Sequence, residues 1–365
     1  MPDETFFGYE CAGGGEPPRR VERPVRLPGP GEVLVRVVGC GLCHTDLGFA
    51  YDGVRTRRPL PLILGHEISG LVEAAGPGFE SLVGQAVVVP AVLPCGVCRD
   101  CLAGRPMVCT RQVMPGNDCD GGFATHTVVP GRGLCPVPGA SGDPDQPLGA
   151  APSLTLRHLA VVADAVSTAY QSVLRSGLVA GDLAVVVGLG GVGGYAAQLA
   201  RDAGAVVVGL DVDERRREDA TRLGLGLALD PTELDAKSLR KRILEFAKQA
   251  GLPANGWTIL ECSGTPAGQA TAFSLLVPAA TLMVVGYTMK EVTLRLSNLM
   301  AFDARALGNW GCAPERYPAL LEKVLAGKID VVSGCELRPL ETISTAFDDV
   351  RSHRAAKRLI LVPED

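Results

Sequence analysis

Short apolar runs broken by Gly and Pro dominate the start of the chain, and their spacing predicts β-strands. The best of these runs covers residues 32–38, and others cover residues 70–75, 85–89 and 127–130. Strands this short, separated by turn residues, are typical of a barrel-like β domain. The pattern therefore predicts an N-terminal domain built mainly from strands.

From residue 156 onward the pattern changes to helical segments alternating with buried strands. A helical pattern covers residues 156–177, a strand follows at 183–187, and a helix then runs to Ala203. Further strands are predicted at residues 206–210, 257–262, 281–286 and 306–308. This alternation predicts a doubly wound parallel sheet, which binds ligands at the carboxyl ends of its strands. The helix at 314–326 and the strand at 358–362 are predicted to return to the first domain.

Length, composition and charge narrow the class of protein. A chain of 365 residues corresponds to about two domains. The net charge of −5 argues against a nucleic-acid partner, because phosphate binding needs a basic surface. No apolar run approaches the roughly 20 residues of a membrane span, and no signal-peptide pattern is present. We expect a cytoplasmic protein with no membrane partner, in which the 12 cysteines serve as metal ligands or reactive thiols.

Two short motifs supply the parts of an open zinc site. The first is Cys43-His44-Thr45-Asp46, and the second is Gly65-His66-Glu67. A catalytic zinc keeps about three protein ligands and leaves one position for water or substrate. Both motifs lie at the ends of predicted strands, where a rigid scaffold can present ligands.

Four cysteines within 15 residues give a more specific metal signal. They are Cys95, Cys98, Cys101 and Cys109. Four thiolates can close a tetrahedral structural zinc site and leave no position for chemistry. One alternative is a set of buried free thiols. Another is a zinc knuckle that binds nucleic acid, but the segment lacks the interleaved aromatic and basic residues of such a knuckle.

A dinucleotide-binding fingerprint opens the second domain. A buried strand is followed by the sequence GLGGVG and by an amphipathic helix, which is the context this motif requires. Gly188 permits the tight turn, Gly190 lets the backbone approach the pyrophosphate, and Gly193 allows close packing of the helix. Gly191 and Val192 begin that helix, whose free N–H groups can bind phosphate.

An acidic residue after the next strand indicates which dinucleotide is bound. Asp211 follows Gly188 by 23 positions, where a carboxylate accepts from the ribose hydroxyls and repels a 2′-phosphate. The sequence therefore favours NAD over NADP. Arg215, Arg216 and Arg217 follow closely. They are interpreted as the exposed start of a helix, although a nearby Arg can also accept the extra phosphate of NADP.

Two basic segments need an interpretation, and the first of them allows both a simple and a functional one. Arg55, Arg57 and Arg58 lie between the two zinc motifs and form either a solvated loop or a clamp for a phosphorylated substrate, because guanidinium groups match phosphate geometry. The second segment, residues 351–358, is interpreted as a solvated face.

These motifs together resemble the zinc-dependent medium-chain alcohol dehydrogenases over essentially the whole chain. The resemblance implies an α/β protein with two domains. A GroES-like β-barrel catalytic domain with a structural-zinc lobe would cover residues 1–163 and 309–365, and a Rossmann NAD-binding domain would cover residues 164–308. It also implies an active site in the cleft between the domains and a homo-oligomer, either a dimer or a tetramer.

The resemblance assigns roles to the residues of the zinc motifs. Cys43 and His66 match zinc ligands, and Asp164 falls at the third ligand position, where many members have Cys. Oxygen is an acceptable zinc ligand, and an ordinary Asp on a helix surface is the alternative. Glu67 matches an acid that can approach the metal, and Asp46 matches the carboxylate that orients His66.

Thr45 is expected to accept the proton of the substrate hydroxyl. Many relatives pass that proton onward through a His five positions after the ligand cysteine, but this chain has Gly48 there. The four cysteines match the family's structural zinc site. The expected cofactor-binding residues are His44 near the pyrophosphate, Gly188, Gly190, Gly191, Val192, Gly193, Asp211, Gly286 and Asn309.

A closer resemblance concerns the substrate. Residues 116–126, 297–302 and 308–312 resemble members that oxidise a ring alcohol carried as a coenzyme A thioester during anaerobic aromatic catabolism. The expected reaction is NAD-linked oxidation of that secondary alcohol. Three alternatives remain: 1,4-addition of hydride to a conjugated enoyl-CoA, oxidation of a small alcohol without coenzyme A, and a non-catalytic NAD-binding protein. The intact ligand pair, Thr45 and Asp211 argue against the last.

Overall fold

The structure is a computed structural model and describes residues 5–364. The strands are β1 Thr5–Cys11, β2 Arg19–Pro24, β3 Glu32–Gly41, β4 Leu62–Ile63, β5 Glu67–Ala75, β6 Ala86–Val89, β7 His126–Pro130, β8 Cys135–Pro136, β9 Leu183–Val187, β10 Val206–Leu210, β11 Leu227–Leu229, β12 Thr258–Glu261, β13 Thr281–Val284, β14 Arg305–Gly308, β15 Cys335–Pro339 and β16 Arg358–Val362. The α-helices are α1 His44–Tyr51, α2 Arg99–Leu102, α3 Ala165–Ser176, α4 Gly191–Asp202, α5 Glu214–Arg222, α6 Ala236–Gln249, α7 Pro266–Ser274, α8 Ser297–Ala301, α9 Tyr317–Leu325 and α10 Ile343–Arg351. Within residues 5–364, no helix has the length and apolar character needed to cross a membrane.

The chain divides into two compact units. Unit 1 contains Met1–Ser167 and Gly311–Asp365, and unit 2 contains Thr168–Trp310. The sequence predicted these divisions after residue 163 and after residue 308, a few positions earlier in each case.

Unit 1 is built from strands. Its larger sheet has the order β15-β16-β3-β5-β6-β8, with β7 also paired to β3, and a smaller sheet has the order β2-β1-β4. The core between them contains alternate residues of β3 and the large side chains of Phe123 and Phe347. In the antiparallel β3–β5 pair, Gly41 lies opposite Glu67. This register brings Cys43, just after β3, to the same end of the sheet as His66, just before β5.

Unit 2 is a parallel sheet with the order β11-β10-β9-β12-β13-β14. The strand order reverses direction between β9 and β12, which is the point where doubly wound sheets bind ligands. Apolar residues fill both faces of the sheet: Val185, Val208 and Ile259 lie on one face, and Val186 and Leu260 lie on the other. The predicted α/β class, with a doubly wound parallel sheet, is confirmed.

Several elements differ from the sequence predictions. The helical pattern at 156–177 is two pieces, a 3-10 segment at His158–Ala163 and α3, separated at Asp164. The strand predicted from residue 70 begins at Glu67, because its pairing with β3 continues to that residue. The strands β1 and β2 were not predicted, since β2 is rich in charged residues and lies largely exposed.

Candidate functional site

Four potential metal ligands from distant parts of the sequence meet in unit 1. We call this set the mixed cluster: Cys43, His66, Glu67 and Asp164, whose ligand atoms all lie within 4.8 Å of one another. The Oδ2 atom of Asp164 lies 3.9 Å from Cys43 Sγ and 3.5 Å from His66 Nε2. Thiolate sulfur, imidazole nitrogen and carboxylate oxygen are all zinc ligands, so the donor set fits a zinc ion.

Asp46 connects the two segments that carry Cys43 and His66. Its Oδ2 accepts from the backbone N–H of Cys43 at 3.0 Å, and its Oδ1 accepts from the N–H of Gly65 at 3.2 Å. The first bond is half of a capping box at the start of α1, an arrangement that fixes a helix N-terminus. The fully buried Asp46 therefore holds both segments in register through their backbones.

His66 is buried, and its protonation is governed by the acids around it. Its Nδ1 lies 3.3 Å from Asp46 Oδ1, outside hydrogen-bond geometry and with no other partner in residues 5–364. Burial lowers the pKa of His66, but the charges of Asp46 and Asp164 outweigh it, so that the pKa is raised well above its ordinary value. Because zinc binds the neutral imidazole, a metal in this cluster must displace a proton.

Arg358 pairs with Glu67, which corrects its interpretation as part of a solvated face, although residues 351–354 and 356–357 of the same run are exposed. Arg358 Nε donates to Glu67 Oε2 at 2.8 Å, and its terminal nitrogen donates to Oε1. The Arg358 side chain is 8% exposed and Glu67 is fully buried. The position of Arg358 at the end of a basic run hid this role, because its partner lies 291 residues earlier.

Glu67 also contacts the segment that carries Asp164. Its Oε1 accepts from the N–H of Ala165 at 3.1 Å. Burial raises the pKa of Glu67 and the Arg358 charge opposes that rise. Arg358 and Ala165 bond both oxygens of Glu67, whereas Asp164 Oδ2 lies near both Cys43 Sγ and His66 Nε2. We therefore infer that Asp164 is the better placed carboxylate for a metal.

The residues around Cys43 differ in exposure. Thr45 Oγ1 lies 3.7 Å from Cys43 Sγ, so this hydroxyl is beside the mixed cluster. His44 is exposed on the first turn of α1, and its contact with the pyrophosphate stays a prediction. A Cβ atom at Gly48 would lie 3.3 Å from a methyl group of Val54. Val54 therefore packs at the position where many relatives carry a proton-transferring His.

The four-cysteine cluster forms a second metal-binding arrangement in unit 1. Cys98 Sγ lies 3.4 Å from Cys101 Sγ and 3.7 Å from Cys109 Sγ. The N–H of Val97 lowers the pKa of the Cys95 thiol to about 6, and the N–H of Cys101 lowers the pKa of Cys98. Zinc binds thiolates, so these N–H groups favour the ligand form.

The glycine turn of unit 2 lies at the switch between β9 and β12. A Cβ atom at Gly193 would lie 1.7 Å from Gly188 O, and one at Gly188 would lie 2.7 Å from Ser263 Cα. Gly190 caps α4, which begins with Gly191 and Val192. The turn thus requires glycine at positions 188 and 193, and the N–H groups at the start of α4 can bind phosphate.

Asp211 supports this turn directly. Its Oδ2 accepts from the N–H of Leu189 at 2.7 Å, and its Oδ1 accepts from the N–H of Asp213 at 2.9 Å. Arg216 Nη1 lies 3.6 Å from the same carboxylate. The arginine therefore lies near the candidate ribose position, and α5 begins at Glu214 beside it.

Glu261 is a buried acid in unit 2 that the sequence analysis did not select. Its Oε1 accepts from the N–H groups of Ser263 and Gly264 at 2.8 and 3.2 Å, while Oε2 has no partner in residues 5–364. A Cβ atom at Gly286 would lie 2.2 Å from the nitrogen of Gly264. Glu261 thus fixes a turn that packs against both Gly188 and Gly286. Its position at the end of β12, beside the switch, was the available signal.

Asn309 has a hydrogen-bond partner in unit 2, and two of the three loop arginines have ion-pair partners. Asn309 Nδ2 donates to Thr168 O at 3.2 Å, within unit 2. Arg57 pairs with Asp118 at 3.3 Å and Arg58 with Asp120 at 3.4 Å, whereas Arg55 has no ion-pair partner in the described part of the chain.

Comparison with known proteins gives two family matches. Residues 29–139 match the alcohol dehydrogenase GroES-like domain, and residues 191–326 match the zinc-binding dehydrogenase family. An L-threonine 3-dehydrogenase of Thermococcus kodakarensis is 31% identical over 78% of this chain and 76% of its own length. An alcohol dehydrogenase of Geobacillus stearothermophilus is 28% identical over 91% of this chain and 92% of its own.

A solved structure gives the same result. The cobalt- and zinc-bound thermostable alcohol dehydrogenase from Pyrobaculum aerophilum is 26% identical, with a TM-score of 0.81 over 99% of this chain and all of the other. The alcohol dehydrogenase of Aeropyrum pernix is also 26% identical, with a TM-score of 0.84 over 98% of this chain and all of the other.

Proposed function

The chain belongs to the zinc-dependent medium-chain alcohol dehydrogenase family. We propose that it oxidises a secondary alcohol at the mixed cluster, with NAD as the hydride acceptor. The predicted cofactors, zinc and NAD, are those of this enzyme family. The observation that carries the proposal is the meeting of Cys43, His66 and Asp164 beside the hydroxyl of Thr45. In the overall reaction the carbinol carbon loses hydride to NAD, and the hydroxyl proton is released.

Each residue of the mixed cluster has a distinct part in this proposal. Cys43, His66 and Asp164 would hold a zinc ion, and a zinc ion there would polarise the substrate hydroxyl and lower its pKa. Thr45 relays the proton of that hydroxyl: its oxygen accepts that proton while its own O–H proton passes to water. Asp46 keeps the two ligand segments in register, and Glu67 with Arg358 supports the start of α3, directly after Asp164.

Replacement of Thr45 tests the proton-accepting role. Thr45→Ala removes the hydroxyl, and Thr45→Ser keeps it, so the two variants form a matched pair. We expect Thr45→Ala to lower kcat for alcohol oxidation by about 100-fold or more, as for loss of a group that transfers a proton, with zinc content unchanged. Thr45→Ser should retain most of the activity. Turnover of Thr45→Ala as high as that of Thr45→Ser and of the wild type would show that another group accepts the proton.

The proposed substrate is a ring alcohol bound to coenzyme A. We propose 6-hydroxycyclohex-1-ene-1-carbonyl-CoA, which would be oxidised to its 6-oxo product, so that the chain would act as a 6-hydroxycyclohex-1-ene-1-carbonyl-CoA dehydrogenase. The support is the resemblance of residues 116–126, 297–302 and 308–312, together with the basic loop at Arg55. We also propose that the chain forms a homo-oligomer and that it acts in the cytoplasm.

Coenzyme A recognition is tested with pairs of substrates. NAD reduction is measured with ring-alcohol coenzyme A thioesters and with the matching free acids. We expect Arg55→Gln to raise KM for the thioester and not for the free acid, because Arg55 is the loop arginine with no ion pair within residues 5–364. Arg99→Gln, which replaces an exposed arginine of the four-cysteine lobe, is the control. Equal rates with both substrates would contradict the coenzyme A assignment.

A small alcohol without coenzyme A is the second candidate substrate. It is favoured by the pairing of Arg57 and Arg58 with carboxylates of the chain, which reduces the charge available to a phosphate. The similar proteins named above are an alcohol dehydrogenase and a threonine dehydrogenase. Faster turnover of small secondary alcohols than of any thioester would establish this candidate instead.

A further inference from the structure

Asp164 lies at an interruption of a helical segment in unit 1. The 3-10 segment His158–Ala163 ends before it, α3 begins after it, and its own backbone has φ −136° and ψ −64°. An interrupted helix leaves backbone groups without their usual partners, and these groups need other hydrogen bonds when they are buried. Ala163, just before the interruption, is fully buried, so its carbonyl is such a group.

The hydroxyl of Tyr317 supplies one of those hydrogen bonds. Tyr317, from α9, is 1% exposed, and its O–H donates to Ala163 O at 2.6 Å. Its oxygen also lies 2.9 Å from Ser167 Oγ, one turn into α3. The same carbonyl accepts from the N–H of Ala91 at 3.1 Å. Bonds from three separate parts of the chain, α9, α3 and the segment after β6, therefore fix both sides of Asp164.

Packing alone does not require a hydroxyl at position 317. The other buried residues on α9 are apolar: Leu320, Leu321 and Val324. Burial raises the pKa of Tyr317 well above its ordinary value, so the group stays an O–H donor throughout the neutral range. A buried hydroxyl is costly unless it is bonded, and here its bonds go to the residues that flank a candidate metal ligand.

We propose that Tyr317 is a positioning residue for Asp164, fixing the direction in which that carboxylate points into the mixed cluster. This inference rests on the proposed function, in which Asp164 is the third zinc ligand. Tyr317 acts through its bonds to Ala163 O and Ser167 Oγ, on either side of Asp164 in the chain.

Tyr317→Phe removes the hydroxyl and keeps the ring, and it is tested on the zinc-loaded full chain. We expect a chelator to remove the zinc of the mixed cluster about 10- to 100-fold faster, in line with other substitutions behind metal ligands. The zinc of the four-cysteine cluster should leave at its original rate. With cobalt in the mixed cluster, the visible absorption bands should shift, because the carboxylate is held less firmly.

Two further variants make the result specific. Tyr51→Phe is the matched control, since the Tyr51 ring packs on Phe347 and Arg351 and its hydroxyl has no hydrogen bond in residues 5–364. It should leave both zinc release rates unchanged. Ser167→Ala keeps the bond between Tyr317 and Ala163, but it removes the bonds from Ser167 Oγ to Ala163 O and Asp164 O, both at 3.2 Å, as well as its contact with Tyr317. We expect a smaller increase in the same rate. Because Ser167 is one of the two groups through which Tyr317 acts, an unchanged release rate in Ser167→Ala would count against the inference even if Tyr317→Phe fails to fold.

The outcomes separate this inference from the proposed function. If Asp164→Ala retains its catalytic zinc, Asp164 is not a ligand, and both proposals about it are wrong. If Asp164→Ala loses that zinc while Tyr317→Phe shows unchanged release and an unchanged cobalt spectrum, the positioning role alone is overturned. A lower Tm with both metal properties unchanged would have the same meaning, since it would show a purely structural hydroxyl.

Discussion

The buried pair of Arg358 and Glu67 gives the sharpest prediction about stability. Arg358→Met removes the guanidinium and keeps most of the stem. It leaves the Glu67 carboxylate, which is fully buried, with the N–H of Ala165 at 3.1 Å as its remaining hydrogen-bond donor. Breaking a buried pair in this way costs about 3–5 kcal/mol, because one charge stays uncompensated. We therefore expect a loss of about that size in the free energy of unfolding of unit 1 at neutral pH.

The pH dependence of this loss has a definite sign. Without Arg358, the pKa of Glu67 should rise further above its ordinary value of 4.5. A folded-state pKa above the unfolded one favours folding at low pH, and that contribution disappears as the pH rises through the folded-state value. The difference between Arg358→Met and the wild type should accordingly be small near pH 4.5 and grow toward alkaline pH.

Urea denaturation followed by circular dichroism measures the loss. Tryptophan fluorescence is unsuitable, since Trp257 and Trp310 both lie in unit 2. The double variant Glu67→Gln with Arg358→Met should recover part of the stability, because the uncompensated charge is gone. A loss under about 1 kcal/mol, the range of exposed ion pairs, or a loss independent of pH would refute the reasoning.

Three further predictions concern the metal and cofactor sites. Zinc binding to the mixed cluster should release a proton from His66, whose pKa is raised, so zinc affinity should fall as the pH falls. Calorimetry in two buffers with different ionisation enthalpies measures this proton release. Equal heats of binding in the two buffers would contradict it. Because burial raises the pKa of Glu261, the wild type should lose stability relative to Glu261→Gln as the pH rises above the ordinary pKa of a glutamate. Thermal melts of both proteins over a pH series check this. A difference in Tm that does not change with pH would exclude it. Asp211→Ala removes the acceptor for the N–H of Leu189 and should raise KM for NAD by about tenfold or more, whereas an unchanged KM would show that the glycine turn does not depend on this carboxylate.

The sequence alone defined the features that depend on short spacing. Four cysteines within 15 residues can meet around one ion with little help from the rest of the chain. The glycine turn between β9 and α4 likewise depends on backbone conformations that only glycine permits without a clash, as at Gly188 and Gly193. The apolar runs predicted most of the strands in both units, because alternation and burial are properties of local sequence.

The tertiary structure decided the features that depend on distant partners. Asp164 meets Cys43 across 121 residues, Tyr317 meets Ala163 across 154, and Arg358 meets Glu67 across 291. Arg351 and Arg358 belong to one basic run, yet only the second lies against a buried carboxylate. The cost of burying a charge or a hydroxyl is set by what faces it in the fold. Local sequence carries the chemical identity of such a group but not its distant partner.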